Sequence, residues 1–178
     1  DILVAIALAI ADRLLNAQGA SAHFPPDHHP DCFTLRPAGK MRQISADATR
    51  ELIAKVQVTP AVAPRKVAII HEVDRMNTAA ANVFLKTLEE PPPHVVFVLA
   101  TTDPQKMSDT IRSRTQHLQF HLLPADTLQQ HVRWVAEDAG LVVSDAAFDQ
   151  VLAQGGGSAR DTLSALELVA NTGGEGAE

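Results

Sequence analysis

Apolar residues are distributed in two ways along this chain. As far as about residue 122, short uninterrupted apolar runs alternate with stretches of helical spacing; after Pro124 only the helical spacing remains. The opening Asp1-Ile-Leu-Val-Ala-Ile-Ala-Leu-Ala-Ile-Ala is apolar all round, which predicts a buried helix running to about Asn16. A polar, proline-containing loop follows from Gly19 to Pro30, and Phe33-Thr-Leu35 reads as a short strand stopped by Pro37. Ser45 is placed to cap a helix with Ala48, Leu52 and Val56 on its apolar face, ended by Pro60. Val67-Ala-Ile-Ile70 has the continuous, β-branched character of a strand covered on both faces. Asn77 or Thr78 caps the next helix, with Ala81, Leu85 and Leu88 as its inner stripe and Pro91-Pro-Pro93 as its stop. Val95-Val-Phe-Val-Leu99 is a second apolar strand, Asp103-Pro104 has the order of a helix start, and Leu118-Gln-Phe120 closes the region as a strand.

Strands alternating with helices imply a parallel sheet with helices on both faces. Beyond Pro124, three helices are expected: one lined by Leu128, Val132 and Val135 and ended by Gly140, one capped by Ser144 and carrying Phe148, Val151 and Leu152, and one opened by Ser158 and Asp161 with Leu163 and Leu166 inside. The expected organisation is an α/β core over 1–122, a small all-helical domain over 123–172 and a frayed tail over 173–178.

A chain of 178 residues buries one substantial core plus a small satellite, and 46% hydrophobic against 20% charged residues excludes wholesale disorder. The net charge of −6, with no basic stripe, argues against autonomous binding to nucleic acid by charge. The single cysteine, Cys32, excludes an internal disulfide and fits a reducing cytoplasm. The apolar opening is too short for a bilayer, which takes roughly 20 apolar residues, so no membrane partner is expected. The chain begins with Asp inside a helix, which leads us to expect that the natural N-terminus lies upstream.

Lys66-Val-Ala-Ile-Ile-His-Glu-Val-Asp74 is an apolar strand ending in acidic residues. Such a strand projects carboxylates from its C-terminal edge towards a metal ion and an attacking water, the Walker-B layout. Alone this is a weak signal. It is sharpened by Asn82-Val-Phe-Leu-Lys-Thr-Leu-Glu-Glu-Pro-Pro92, Ala100-Thr-Thr-Asp-Pro-Gln-Lys106 and Thr110-Ile-Arg-Ser-Arg114. In this order and spacing the segments resemble the bacterial DNA polymerase III clamp-loader subunits, the gamma/tau and delta-prime proteins, from about His29 to Leu168. The resemblance implies an AAA+ P-loop-type core, its N-terminal part missing, followed by a helical lid, in a ring that opens a sliding clamp. The implied partners are the gamma/tau and delta subunits, the sliding clamp and, through the complex, primer-template DNA. ATP and Mg²⁺ would belong to the assembled complex, and no cofactor is expected on this chain by itself.

By the same resemblance Thr101 and Thr102 occupy the sensor-1 region, Arg160 in Gly157-Ser-Ala-Arg-Asp161 the sensor-2 position, and Arg114 the place of an arginine finger that reaches a neighbour's ATP site. Thr115 stands where the family usually has cysteine. A guanidinium presents a planar fork of donors to developing phosphoryl charge, which lysine does not match. Arg112 is the nearest rival to Arg114, and for Arg160 the simpler role is an ion pair with Asp161. Arg160 is also a cation in a first helical turn, where the macrodipole disfavours it.

Walker A is absent: Gly39-Lys40 would need glycine at Thr34 and a hydroxyl at Met41. A P-loop, if present, would lie upstream of Asp1. His71 stands where active relatives carry the aspartate that organises Mg²⁺, and Mg²⁺ prefers oxygen. Glu72 keeps the water-polarising position. Strand alternation, if it extends that far, puts Asp74 on the same face as Glu72. Weak or absent ATPase activity is therefore expected, which fits delta-prime. His29-Pro-Asp31 and the segment from Ile44 to Leu52 favour delta-prime too, while Ala100 to Lys106 and Arg160 are closer to gamma/tau. His23, His28, His29 and Cys32 are close together where relatives often bind zinc, but lack the four ligands at defined spacing that a structural site needs. A polar loop is the simpler expectation.

Overall fold

A computed structural model describes residues 2–16 and 23–172. The chain divides into two compact units, Asp1–His117 and Leu118–Glu178, so the division falls before the expected residue 122.

In the first unit, β1 (Cys32–Leu35), β2 (Lys66–His71) and β3 (Val95–Ala100) form a parallel sheet in the order β1-β2-β3. Val67 stands beside Cys32 and Val96, and His71 beside Ala100. Every residue of β2 is buried, as its unbroken apolar run requires of a central parallel strand. Alternation divides its side chains: Val67 and Ile69 pack with Ala7, Ala11 and Leu15 of α1 (Ile2–Leu15), while Ala68 and Ile70 join the cluster of Leu52, Val56 and Phe84. The second cluster is built by α2 (Ala46–Gln57) and α3 (Thr78–Glu89), so helices cover both faces.

Side-chain caps start both helices. Ser45 Oγ accepts from the Ala48 amide at 3.2 Å and Asn77 Oδ1 from the Ala80 amide at 2.8 Å. The buried stripes are turned slightly from the expected ones. In α2, Thr49 rather than Ala48 is buried with Leu52 and Val56, its hydroxyl donating to the Ser45 carbonyl. In α3 the centre is Phe84, which meets Phe97 of β3 edge to face at 5.1 Å, with Leu85 and Leu88 as half-buried flanks. The large aromatic, not the leucine heptad spacing, decides which face turns inward.

Two expectations for the end of this region are corrected. Residues 118–120 form no strand, and Leu118 and Phe120 are exposed. An extended segment becomes a strand only against a neighbour, and none of the described strands pairs with it. Asp103-Pro104 opens only a single 3-10 turn, Pro104–Lys106, across which the Asp103 carboxylate pairs with Lys106 at 2.7 Å. The short α4 (Asp109–Arg112) follows.

In the second unit α5 (Ala125–Asp138), α6 (Asp145–Gly155) and α7 (Ala159–Thr172) share a core of Leu128, Val132, Phe148, Val151 and Leu166. Ser144 caps α6, and Ser158 Oγ accepts from the Asp161 amide at 3.3 Å. Arg133 lies over the Phe148 ring, 4.4 Å from its centroid. The expected tail over 173–178 lies outside the described residues.

Candidate functional site

The strand ends build the site. β2 stops at His71 because Glu72 adopts the left-handed conformation (φ 48°, ψ 50°), uncommon for a residue with a side chain. A 3-10 turn, Val73–Arg75, follows, anchored by buried Val73. Strand alternation therefore ends at His71, and the expectation that Asp74 shares the face of Glu72 does not apply. Asp74 instead accepts a hydrogen bond from Thr101 Oγ1 at 2.5 Å, and Thr101 Oγ1 accepts from the Asp103 amide at 2.9 Å.

The Glu72 carboxylate is held between two guanidiniums. Arg42 Nη2 donates to both of its oxygens, at 2.9 and 3.1 Å, and Arg75 Nε lies 3.3 Å away. Arg42 reaches it from a tight hairpin in which Ala38 and Gln43 bridge, turned through Gly39 (φ 73°) and Arg42 itself (φ 46°). That hairpin is tied to the site by a parallel bridge between Ile44 and Met76. Gly39-Lys40 thus sits in a hairpin turn and opens no helix, so its amides are not arranged as a phosphate loop.

His71 is only 4% exposed. Burial holds its pKa below the usual imidazole value, the Arg36 charge adds to that, and Glu72 opposes it. A small pocket opens between the first turn of α1, at Leu3 and Val4, and the strand ends, where Arg36, His71, Glu72, Thr101 and Thr102 line it. The donors at the strand ends do not suit Mg²⁺. Position 71 offers an imidazole, Glu72 is occupied by arginines, and Asp74 is occupied by Thr101. No cluster of three or more metal-ligating side chains occurs among the described residues.

Arg114 follows α4 and is exposed, its side chain retaining 35% of its accessible surface. It donates to the Thr110 carbonyl at 2.9 Å and to Glu89 Oε1 at 2.7 Å, so the last residue of α3 aims it. Arg112 is instead paired with Asp109 of its own turn. Arg160 lies exposed in the first turn of α7, in the second compact unit, and no ion pair involves it among the described residues. The His/Cys group is not assembled. His29 is buried and its Nδ1 accepts the Asp31 amide at 3.0 Å, while His28 is exposed beside Asp27. Arg36, Arg42 and Arg75 escaped the sequence reading. Arg36 had a signal, a cation directly after a parallel strand; Arg42 had none, being thirty residues from its partner.

Comparison with known proteins agrees with this geometry. The family described as "DNA polymerase III, delta subunit" matches residues 18–124, more than half of the chain. DNA polymerase III subunit gamma/tau of Mycobacterium tuberculosis is 40% identical over 89% of this chain, and subunit tau/gamma of Haemophilus influenzae 45% identical over 65%. The chain spans 29% and 17% of the length of those relatives. Among solved structures, a gamma subunit-related protein of Thermotoga maritima superposes with a TM-score of 0.65 at 26% identity, covering 93% of this chain and 49% of that one. The RuvB Holliday junction branch migration motor of the same organism shares the fold, with a TM-score of 0.55 over 75% of this chain and 43% of that one at 18% identity. No helix among the described residues is long and apolar enough to cross a membrane. With its helix-covered parallel sheet, its strand-end site and these relatives, the chain belongs to the AAA+ clamp-loader subunits of bacterial DNA polymerase III.

Proposed function

We propose that this protein works as a delta-prime-like clamp-loader subunit in the cytoplasm, one that does not hydrolyse ATP itself and presents Arg114 to a neighbouring subunit's ATP site. The observation that carries the reading is the condition of residues 71 and 72. An imidazole stands at the end of β2, and the adjacent carboxylate is neutralised by Arg42 and Arg75, leaving no free base to polarise water. Arg114 supports the second half of the reading, since it is exposed and steadied by Glu89. A guanidinium so placed stabilises phosphoryl charge supplied from outside its own chain. Its partners would be the gamma/tau and delta subunits, the sliding clamp and, through the complex, primer-template DNA. Thr101, Thr102 and Arg160 are proposed as nucleotide-facing residues; Thr101 would first have to release Asp74.

Reconstitution of the full-length protein with partner loader subunits tests this. Arg114→Ala is expected to lower the complex's ATP turnover by about a thousandfold, the scale of a finger donated in trans. Unchanged turnover and clamp loading would remove the assignment. The identity to gamma/tau relatives favours a second reading, an ATP-hydrolysing subunit. Brisk magnesium-dependent turnover by the isolated full-length protein would establish that reading instead.

A further inference from the structure

Three side chains turn back on the end of α4. Ser113 Oγ donates to the Thr110 carbonyl at 3.2 Å, Arg114 Nη1 donates to the same carbonyl at 2.9 Å, and Thr115 Oγ1 donates to the Ile111 and Arg112 carbonyls at 3.3 and 3.0 Å. The Thr110 carbonyl is one of those that a helix end leaves without an intrahelical amide. Buried Ile111 pins the turn itself. The remaining strong contact of Arg114 is not local: Nη2 donates to Glu89 Oε1 at 2.7 Å, across twenty-five residues. Glu89 is the last residue of α3, whose final turns are fixed by buried Phe84 and Thr87 and stopped by Pro91-Pro-Pro93. Its root is held by the core, while its carboxylate stands half-exposed. A single bond to a carbonyl leaves a guanidinium plane free to swing about that bond. A second bond, from the other terminal nitrogen to a carboxylate on a different helix, fixes the plane. Arginine carries five N–H donors, and Nε takes part in none of these contacts, so Nε–H and a hydrogen of Nη2 stay available to an incoming phosphate oxygen.

We propose that Glu89 is a positioning residue for Arg114, holding the guanidinium plane in the orientation in which it meets a phosphoryl group outside its own chain. Resting on the assignment of Arg114 to a neighbour's ATP site, this role gives Glu89 no contact with the nucleotide; it acts only through the guanidinium. Arg112, paired with Asp109 inside its own turn, has no comparable support from a second helix. An exposed ion pair contributes little to folding stability, so the worth of the Glu89–Arg114 pair lies in orientation. A small misplacement of a group that must meet a reacting centre is costly in rate.

The full-length protein reconstituted with partner loader subunits tests this, with kcat and KM for ATP measured for Glu89→Ala, Glu89→Gln, Arg114→Ala and the Glu89→Ala, Arg114→Ala double variant. Glu89→Ala is expected to lower kcat about tenfold and leave KM unchanged. Glu89→Gln keeps an acceptor oxygen in place and is expected to restore most of that loss. On the Arg114→Ala background, Glu89→Ala should remove nothing further, because its effect passes through the guanidinium alone. Thermal midpoints of the single variants should match the unmodified protein. If Arg114→Ala lowers turnover while Glu89→Ala does not, or if the two losses multiply in the double variant, the positioning role falls and the finger stands. If Arg114→Ala leaves turnover intact, the finger falls and the role of Glu89 with it. A loss of turnover in both Glu89 variants that tracks a lowered thermal midpoint would assign Glu89 to folding and overturn the proposal.

Discussion

Asp31 carries its carboxylate at 0% exposure, directly before β1. Burial alone would raise its pKa, but the Ala61, Val62 and Ala63 amides donate to it at 2.6, 2.8 and 2.9 Å and together hold it below the usual carboxylate value. The folded pKa thus lies below the unfolded one. The resulting stability is complete above about pH 4 and is lost as pH falls through the folded value. Asp31→Asn should cost about 2–3 kcal/mol at pH 7, and the gap from wild type should narrow below about pH 4; urea midpoints at both pH values measure it. His71 acts in the same direction. Its folded pKa is depressed, so its contribution is present above about pH 6.5 and is lost on acidification. Cys32, which burial first and Asp27 second push up to about 11, stays a thiol at neutral pH and should be alkylated far more slowly than a free cysteine by iodoacetamide. Position 71 was singled out in the sequence because a histidine there breaks a pattern. The role of Asp31 was not, because three amides thirty residues downstream leave no local trace.

Among the elements, the helices were legible wherever a cap and an apolar stripe coincided. Ser45, Asn77, Ser144 and Ser158 each perform the cap that their position predicted. The stripes were misjudged by a position where a small or polar residue is buried, as at Thr49 and Thr87, because helical spacing alone does not separate adjacent faces. The run Gly155-Gly-Gly157 reads in sequence only as a break. In the structure Gly155 is the contact between α6 and α7: a Cβ there would lie 2.6 Å from Thr162 Cβ and 2.8 Å from its Cα. Gly155→Ala should therefore destabilise the helical unit by about 1–3 kcal/mol despite the better helix propensity of alanine, a loss visible in the thermal transition followed by circular dichroism. Residues 118–120 mark the opposite failure. Their pattern suits a strand, but strand formation depends on a neighbour, which composition does not reveal.

For the molecule as a whole, each unit has its own apolar core: Phe84, Ile70 and Val56 in the first, Val132, Phe148 and Val151 in the second. A truncation in one should act mainly on its own unit. Val132→Ala is expected to lower the stability of the helical unit by about 1–3 kcal/mol while hydrogen exchange in β2 stays nearly unchanged. Comparable loss of protection in β2 would show that the two units unfold as one. Charge is divided as well, for residues 118–178 contain Arg133 and Arg160 against nine acidic residues. The mild overall charge of −6 conceals this: Arg36, Arg42, Arg75 and Arg114 lie on the α/β unit and Arg160 on the helical one.

By itself the sequence determined the alternation of strands and helices, the helix caps and the candidate positions His71, Glu72 and Arg114, because periodicity, caps and unusual residues at strand ends are local properties. Only the tertiary structure decided that Glu72 is bound by Arg42 and Arg75, that Asp74 is spoken for by Thr101, and that Arg36 and His71 line one pocket. Those facts depend on which distant segments the parallel sheet sets side by side, and one-dimensional spacing carries no record of that.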